Sequence, residues 1–209
     1  MLDILDIHTH HSPPQPHGVI AVKAGELNPM DNQLYSIGIH PWDSGTMLDD
    51  GIWETLLAEA SRPEVVAIGE CGIDMLKGAP LFRQMQIFKR HIDLSEKLKK
   101  PLVIHDVKAH DVIIGIKKDL NPQQPWVIHG FRGKPTVATM LSQAGIYLSI
   151  GEKFNPESIP FIPENMILAE TDESSSDIFE IIKAISDAAV KDLMTLISAN
   201  TSKFLGLTE

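Results

Sequence analysis

Eight short apolar runs punctuate the sequence, and stretches of helical periodicity separate most of them. The runs are Ile4-Leu5-Asp6-Ile7, Val19-Ile20-Ala21-Val22, Tyr35-Ser36-Ile37-Gly38-Ile39, Val65-Val66-Ala67-Ile68, Leu102-Val103-Ile104, Trp126-Val127-Ile128, Ile146-Tyr147-Leu148-Ser149-Ile150 and Met166-Ile167-Leu168-Ala169. Near-continuous apolar strands joined by helices read as a parallel sheet buried on both faces, because each crossover helix covers a face. Eight strands are also what closes a (β/α)8 barrel. The alternative is an open doubly wound sheet, but no G-x-G-x-x-G follows the first run.

The intervening stretches keep the spacing of one buried helix face. Trp53, Leu56, Leu57 and Ala60 form the first stripe, and Leu81, Met85, Phe88 and Ile92 the second, which Pro101 stops. Ala109, Val112, Ile113, Ile116 and Leu120 follow, then Val137, Met140, Leu141 and Ala144 between Pro135 and Gly145. Ile178, Ile181, Ile182 and Ile185 come after Ser174-Ser175-Ser176 as candidate caps, and Leu193, Leu196 and Ile197 form the last stripe. Residues 10–18 are Pro-rich and residues 26–34 too short and Pro/Asn-rich for a full helix. The expectation is an α/β fold, a distorted TIM-type (β/α)8 barrel with reduced or missing helices after strands 1 and 2. Without repeat, low-complexity tract or Ser/Gly linker, residues 1–209 read as a single domain.

Eighteen basic residues against twenty-eight acidic give a net charge of −10, which argues against broad nucleic-acid binding through a basic surface. A polyanion held by metal is still compatible, since two divalent cations beside two carboxylates leave a local surplus of positive charge. One cysteine, Cys71, excludes an internal disulfide framework and fits a reducing compartment. Met1-Leu2-Asp3 leads straight into a strand pattern, and no apolar stretch is long enough for a bilayer. A cytoplasmic location with no membrane and no obligate protein partner is the expectation.

In a barrel of this kind, side chains at the carboxyl ends of the strands converge on one rim, where active sites sit. His8 and His10 follow the first strand with i, i+2 spacing, which points both to one side. Glu70 follows the fourth strand, His105 ends the fifth, His129 ends the sixth, and Asp172 follows the eighth. Six ligand-type side chains thus arrive from five strand ends. Four imidazoles and two carboxylates exceed what one tetrahedral ion needs, and a carboxylate such as Glu70 can bridge two ions. Nitrogen and oxygen donors without thiolates suit one or two divalent ions: zinc, manganese, magnesium or iron. Such ions activate water, and Asp172 is placed to take its proton, so the reaction class is hydrolysis of a phosphate ester or, less directly, of an ester or amide carbonyl.

These residues lie in ordered blocks: His8-Thr9-His10, Gly38-Ile39-His40-Pro41, Ile68-Gly69-Glu70-Cys71-Gly72-Ile73-Asp74, Pro101-Leu102-Val103-Ile104-His105, His129-Gly130-Phe131-Arg132-Gly133, Glu170-Thr171-Asp172 and Asn200-Thr201-Ser202-Lys203-Phe204-Leu205-Gly206. Their order and content resemble the signature blocks of the TatD family. The resemblance implies a metal-dependent hydrolase of the amidohydrolase-like barrel group, with deoxyribonuclease activity on DNA ends described for members. It also implies His8, His10, Glu70, His105, His129 and Asp172 as metal ligands, with Glu70 and Asp172 catalytic. The departures fall on substrate-facing loops. Asp106-Val107-Lys108 stands where the family commonly presents a serine and an arginine, and Gly-Phe-Arg-Gly replaces Cys-Phe-Ser-Gly after His129. Glu173-Ser174-Ser175-Ser176 lacks the usual proline-containing loop. The chain is also shorter than is usual for the family.

His40 is a candidate for contacting substrate or supporting the ligands, and Arg132 and Lys108 are the cations best placed for a phosphate. Trp42 either stacks on a base or covers the barrel mouth. Glu170 shares the side of Asp172 and is expected to orient a ligand or contact a loop. Asp74 reads as a turn carboxylate, and Cys71 as a small packed thiol. His11, His17, His91 and His110 read as surface or loop residues, the last two on helices of the far wall. No lysine ends a strand where a carbamylated metal bridge would form. Three functions compete: a phosphodiesterase or deoxyribonuclease acting on DNA, a hydrolase of a small phosphoester, ester or amide, and a metal-binding interaction protein with little catalysis.

Overall fold

The computed structural model describes residues 4–11, 15–46 and 48–207. Each apolar run overlaps a strand: β1 (Asp6–Thr9), β2 (Gly18–Lys23), β3 (Leu34–Gly38), β4 (Val65–Asp74), β5 (Leu102–Val107), β6 (Trp126–Ile128), β7 (Ile146–Ile150) and β8 (Ile167–Ala169). The strands pair in parallel in chain order, and β1 pairs with β8 through Asp6 and Ala169, closing the barrel. Closure leaves no sheet edge to protect. Two strands run further than the apolar pattern suggests, so Glu70 lies inside β4 and His105 inside β5 rather than beyond or at their ends.

The six helical stripes form α1 (Asp50–Ala60), α2 (Leu81–Leu98), α3 (His110–Leu120), α4 (Pro135–Gln143), α5 (Ile178–Ala189) and α6 (Met194–Phe204). Asp49 caps α1 by accepting from the Ile52 N–H at 3.1 Å. The cap of α5 is Asp177, which accepts from the Phe179 N–H at 2.7 Å, and not the preceding serines. Ser174 and Ser176 instead donate their hydroxyls to Glu152. Among the described residues no helix separates β1 from β2 or β2 from β3, as the sequence predicts. A third connection, from β7 to β8, is also without an α-helix, and carries two 3-10 turns at Pro156–Phe161 and Glu164–Met166. Pro156, Pro160 and Pro163 remove the backbone donors a longer helix would need there. No helix among the described residues is long and apolar enough to cross a membrane.

The core has two parts. Leu102, Ile104, Trp126 and Ile128 pack outward against Phe88, Ile113 and Leu141 of the helices. Ile7, Val19, Val66, Val103, Val127 and Leu168 fill the barrel, together with Phe204 and Leu205 at the end of α6. Period-two alternation then carries the polar residues inward: His105 follows Val103 by two, His129 follows Val127, and Glu170 follows Leu168. The other two site strands break that rhythm. Three steps along β1, from Asp6 to Thr9, match two along β2, and three along β4, from Ile68 to Cys71, match two along β5. Each is a bulge that re-aims the side chains beyond it. Gly69 (φ 140°) and Gly72 (φ 134°) make the β4 bulge possible, because a Cβ on either would strike a β5 carbonyl oxygen, that of Val103 or His105.

Candidate metal centre

The ligand-type residues of β1 and β8 are aligned by backbone pairing beyond the strands. Asp172 N donates to His8 O at 3.0 Å and His10 N to Asp172 O at 3.0 Å, on either side of a bridge between Thr9 and Asp172. Asp172 has φ 54°, the left-handed region that Asp tolerates better than most residues, and its carboxylate turns into the mouth. Asp6 locks this seam from below. Its carboxylate accepts from His8 N at 3.2 Å, Thr171 N at 3.0 Å and Thr171 Oγ1 at 2.6 Å. Burial pushes the Asp6 carboxyl up to about 7, against the lowering effect of the Thr171 bonds. Sequence reasoning gave Asp6 no role, although an acid inside an apolar run was a visible signal.

Glu70 stands at the centre, and its two oxygens face different sets of histidines. Oε1 lies 2.7 Å from His105 Nδ1, 2.7 Å from His129 Nε2 and 3.0 Å from His40 Nε2. Oε2 lies 3.5 Å from His8 Nε2 and 3.6 Å from His10 Nε2. Asp172 Oδ1 completes the second set, 3.9 Å from His8 Nε2 and 3.8 Å from His10 Nε2. All six predicted ligands therefore meet in one cluster, and His40 joins them. His40 Nδ1 accepts from the Trp42 N–H, so Nε2 carries the proton given to Glu70.

Burial opposes ionisation of Glu70, but His129, His10 and His105 outweigh it and hold the carboxyl well below its usual range. Burial likewise works against charge on His129, yet Glu70 and Glu170 raise it well above the ordinary imidazole value. The Glu70 carboxylate beside it raises His10 against its own desolvation. His8 goes the other way, lowered first by complete burial and then by repulsion from His129. A neutral imidazole is the form that ligates metal.

The chemistry of the donors fits a cation. His8 is fully buried, yet neither ring nitrogen has a hydrogen-bond partner among the described residues, and His129 Nδ1 is likewise without one there. Buried polar atoms are ordinarily paired, so such orphans call for a ligand. Among the described residues four trios each bring one donor atom per residue within 4.8 Å of the others: His8, His10 and Asp172; His8, Glu70 and His129; His40, Glu70 and His105; His129, Glu170 and Asp172. These donors are all imidazole and carboxylate.

Glu170 is fully buried and supports the cluster from behind. Its Oε1 accepts from Gly130 N at 2.6 Å and lies 3.5 Å from His129 Nδ1. Asp74 is a turn carboxylate, accepting from Leu76 N and Lys77 N, and its other oxygen takes the Trp42 indole N–H at 2.7 Å. That bond pins a half-exposed Trp42 beside His40 and His105, with Lys77 Nζ 3.8 Å above its ring. Arg132 and Lys108, both exposed, line a cleft of about 480 Å³ with His105, His129 and Asp172. Cys71 is buried with its thiol against Val103 O, as expected.

Two histidines depart from the surface reading. His91 is buried, accepting from Ile39 N at 2.9 Å through Nε2 and giving its Nδ1 proton to Ile87 O at 2.9 Å. A buried helix face with one polar residue at the right spacing reads the same in sequence as an exposed one. His110 is the first residue of α3 and lines the cleft, not the far wall. His11 stays in the β1 loop, with Nε2 2.5 Å from Ser174 O, and His17 packs edge-on against Phe179.

The sequence model of the family described as TatD related DNase matches residues 20–205. His8 and His10 precede that stretch, and the geometry of the cluster joins them to the rest. An "Uncharacterized metal-dependent hydrolase" of Buchnera aphidicola is 34% identical over 150 residues, covering 68% of this chain and 56% of that protein. A "3'-5' ssDNA/RNA exonuclease TatD" of Cronobacter turicensis is 33% identical over 145 residues, covering 65% and 55%. The matches thus span little more than half the length of these curated relatives. The crystal structure of YjjV, a TatD homologue from Escherichia coli, aligns over 99% of both chains with a TM-score of 0.81 at 19% identity, which establishes a common fold. With a family match across most of its length, the chain belongs to the TatD related DNase family.

Proposed function

We propose that this chain is a divalent-metal-dependent hydrolase of phosphodiesters, a deoxyribonuclease in its fullest form, built on a two-cation site centred on Glu70. The observation that carries the reading is the division of one carboxylate between two donor sets: Oε1 toward His40, His105 and His129, Oε2 toward His8 and His10 with Asp172 beside them. In this reading residues 1–209 act as one hydrolase barrel domain. His8, His10, Glu70, His105, His129 and Asp172 hold the ions, which are zinc, manganese, magnesium or iron. Ions of this kind, when bound, acidify water and draw charge from ester oxygens.

The residues do the rest. Asp172, 29% exposed at the mouth, accepts a proton from the attacking water. Arg132 and Lys108 bind the non-bridging phosphate oxygens from the cleft wall, Arg132 with its fork of donors. His40 donates to Glu70 and fixes its orientation. The exonuclease name of the Cronobacter relative favours nucleic acid. A small phosphoester is the second reading, favoured by a net charge of −10 and only two cations among the lining residues of this cleft.

The test is turnover of end-labelled single-stranded DNA and of bis(p-nitrophenyl) phosphate by purified protein with each metal, beside Glu70→Ala and Asp172→Asn. Metal-dependent cleavage of both, lost in both variants, is expected. Cleavage of the small ester alone moves the substrate to the second reading, and metal uptake with no cleavage of either discards the hydrolase.

A further inference from the structure

We propose that His110, held by Asp106, is a catalytic residue that protonates the departing oxygen. The proposal rests on the hydrolase reading above and deepens it. His110 Nδ1 lies 3.0 Å from Asp106 Oδ2, and Asp106 Oδ1 accepts from Ala109 N at 2.9 Å. A carboxylate only accepts, so Nδ1 carries the proton of the shared bond and the ring is fixed about it. The Asp106 side chain is 3% exposed and that of His110 34%, so a buried acid presents an accessible imidazole. Nε2 has no hydrogen-bond partner among the described residues.

The position matters as much as the pair. His110 lines the same cleft as His105, His129 and Asp172, together with Lys108 and Arg132. Asp172 follows β8 and His110 follows β5, which stand three places apart round an eight-strand ring. A diester seated in the cleft is thus flanked by a carboxylate on one side of the rim and an imidazole on another. Hydrolysis needs both. As water oxygen bonds to phosphorus, the bond from phosphorus to the leaving oxygen breaks. One water proton passes to Asp172 and the other stays on the new phosphate oxygen. The imidazolium gives its Nε2 proton to the leaving oxygen, which departs as an alcohol, and exchange with solvent resets Asp172 and His110.

An alkoxide needs that proton far more than a p-nitrophenolate does, which supplies the test. Wild type, His110→Gln and Asp106→Asn are compared on a dinucleoside phosphate and on a p-nitrophenyl nucleotide ester, with urea unfolding to confirm that each variant is folded. The expected result is a fall in kcat of about 100-fold for His110→Gln on the dinucleoside phosphate, a change under about three-fold on the p-nitrophenyl ester, and a smaller loss of the same selectivity for Asp106→Asn. Imidazole added to His110→Ala should restore cleavage of the dinucleoside phosphate. Equal losses on both esters, or none on either, overturn the proposal while the hydrolase reading stands. A wild type inert toward both esters with every metal overturns the two together.

Discussion

Asp172 and His8 are joined through the backbone, Asp172 N to His8 O at 3.0 Å, while Asp172 Oδ1 and His8 Nε2 stand 3.9 Å apart. The main chain sets the pair side by side, and the side chains are left too far apart to satisfy each other directly. Asp172→Asn keeps the backbone bond and removes only the charge. The expected outcome is a drop from two bound ions to one by metal analysis after dialysis, with the metal-free unfolding midpoint little changed.

Metal should also stabilise the fold by mass action, about 4 kcal/mol at a thousand-fold excess over Kd. Glu70→Gln, which keeps the shape but removes the charge and turns one of the two donor oxygens into an amide nitrogen, should abolish most of that gain. Thermal unfolding with and without manganese or zinc reads the difference, and equal metal-induced shifts in wild type and variant would place the ions elsewhere.

Glu170→Gln retains an oxygen for Gly130 N but loses the charge behind His129. Supporting groups of this kind are worth about 10–100-fold in metal affinity. Calorimetric titration should show that loss with the ion stoichiometry preserved.

His91 predicts acid lability away from the site. Burial first, and Arg90 after it, lower its imidazole to about 4 despite the Ile87 bond. The unfolded chain therefore binds more protons between about 4 and 6.5, so the stability from neutral His91 is complete above 6.5 and is lost as pH falls toward 4. The full loss is about 3 kcal/mol. Urea unfolding across this range should be steeper in pH for wild type than for His91→Gln, whose amide does not titrate.

Gly72→Ala and Gly115→Ala should move stability in opposite directions. The first has φ 134° and would drive a methyl into His105 O, so a loss above about 1–3 kcal/mol is expected. The second lies within α3 with nothing near its Cβ, and alanine there should gain up to about 1 kcal/mol. Urea midpoints of the two variants check both signs.

The barrel was legible because its strands are apolar on both faces and its helices are not, so two periodicities mark them apart. The convergence of the ligand-type side chains was legible because period two places His105 and His129 two residues beyond Val103 and Val127. The bulges in β1 and β4 were not, since they come from how neighbouring strands pair, and no single strand carries that information. Asp6, His91 and His110 were misread or passed over for a related reason. Their partners Thr171, Ile39 and Asp106 are defined by the folded chain, and two of these contacts span long stretches of sequence.

The seam from Asp6 to Thr171 ties together residues 165 positions apart. A polypeptide emerging during synthesis exposes His8 and His10 well before Asp172, and it cannot set them against that residue until the six intervening strands and β8 have been made. Ions shared among the six ligand-type residues would consequently arrive late, locking a finished ring and not serving as the seed around which the ring forms.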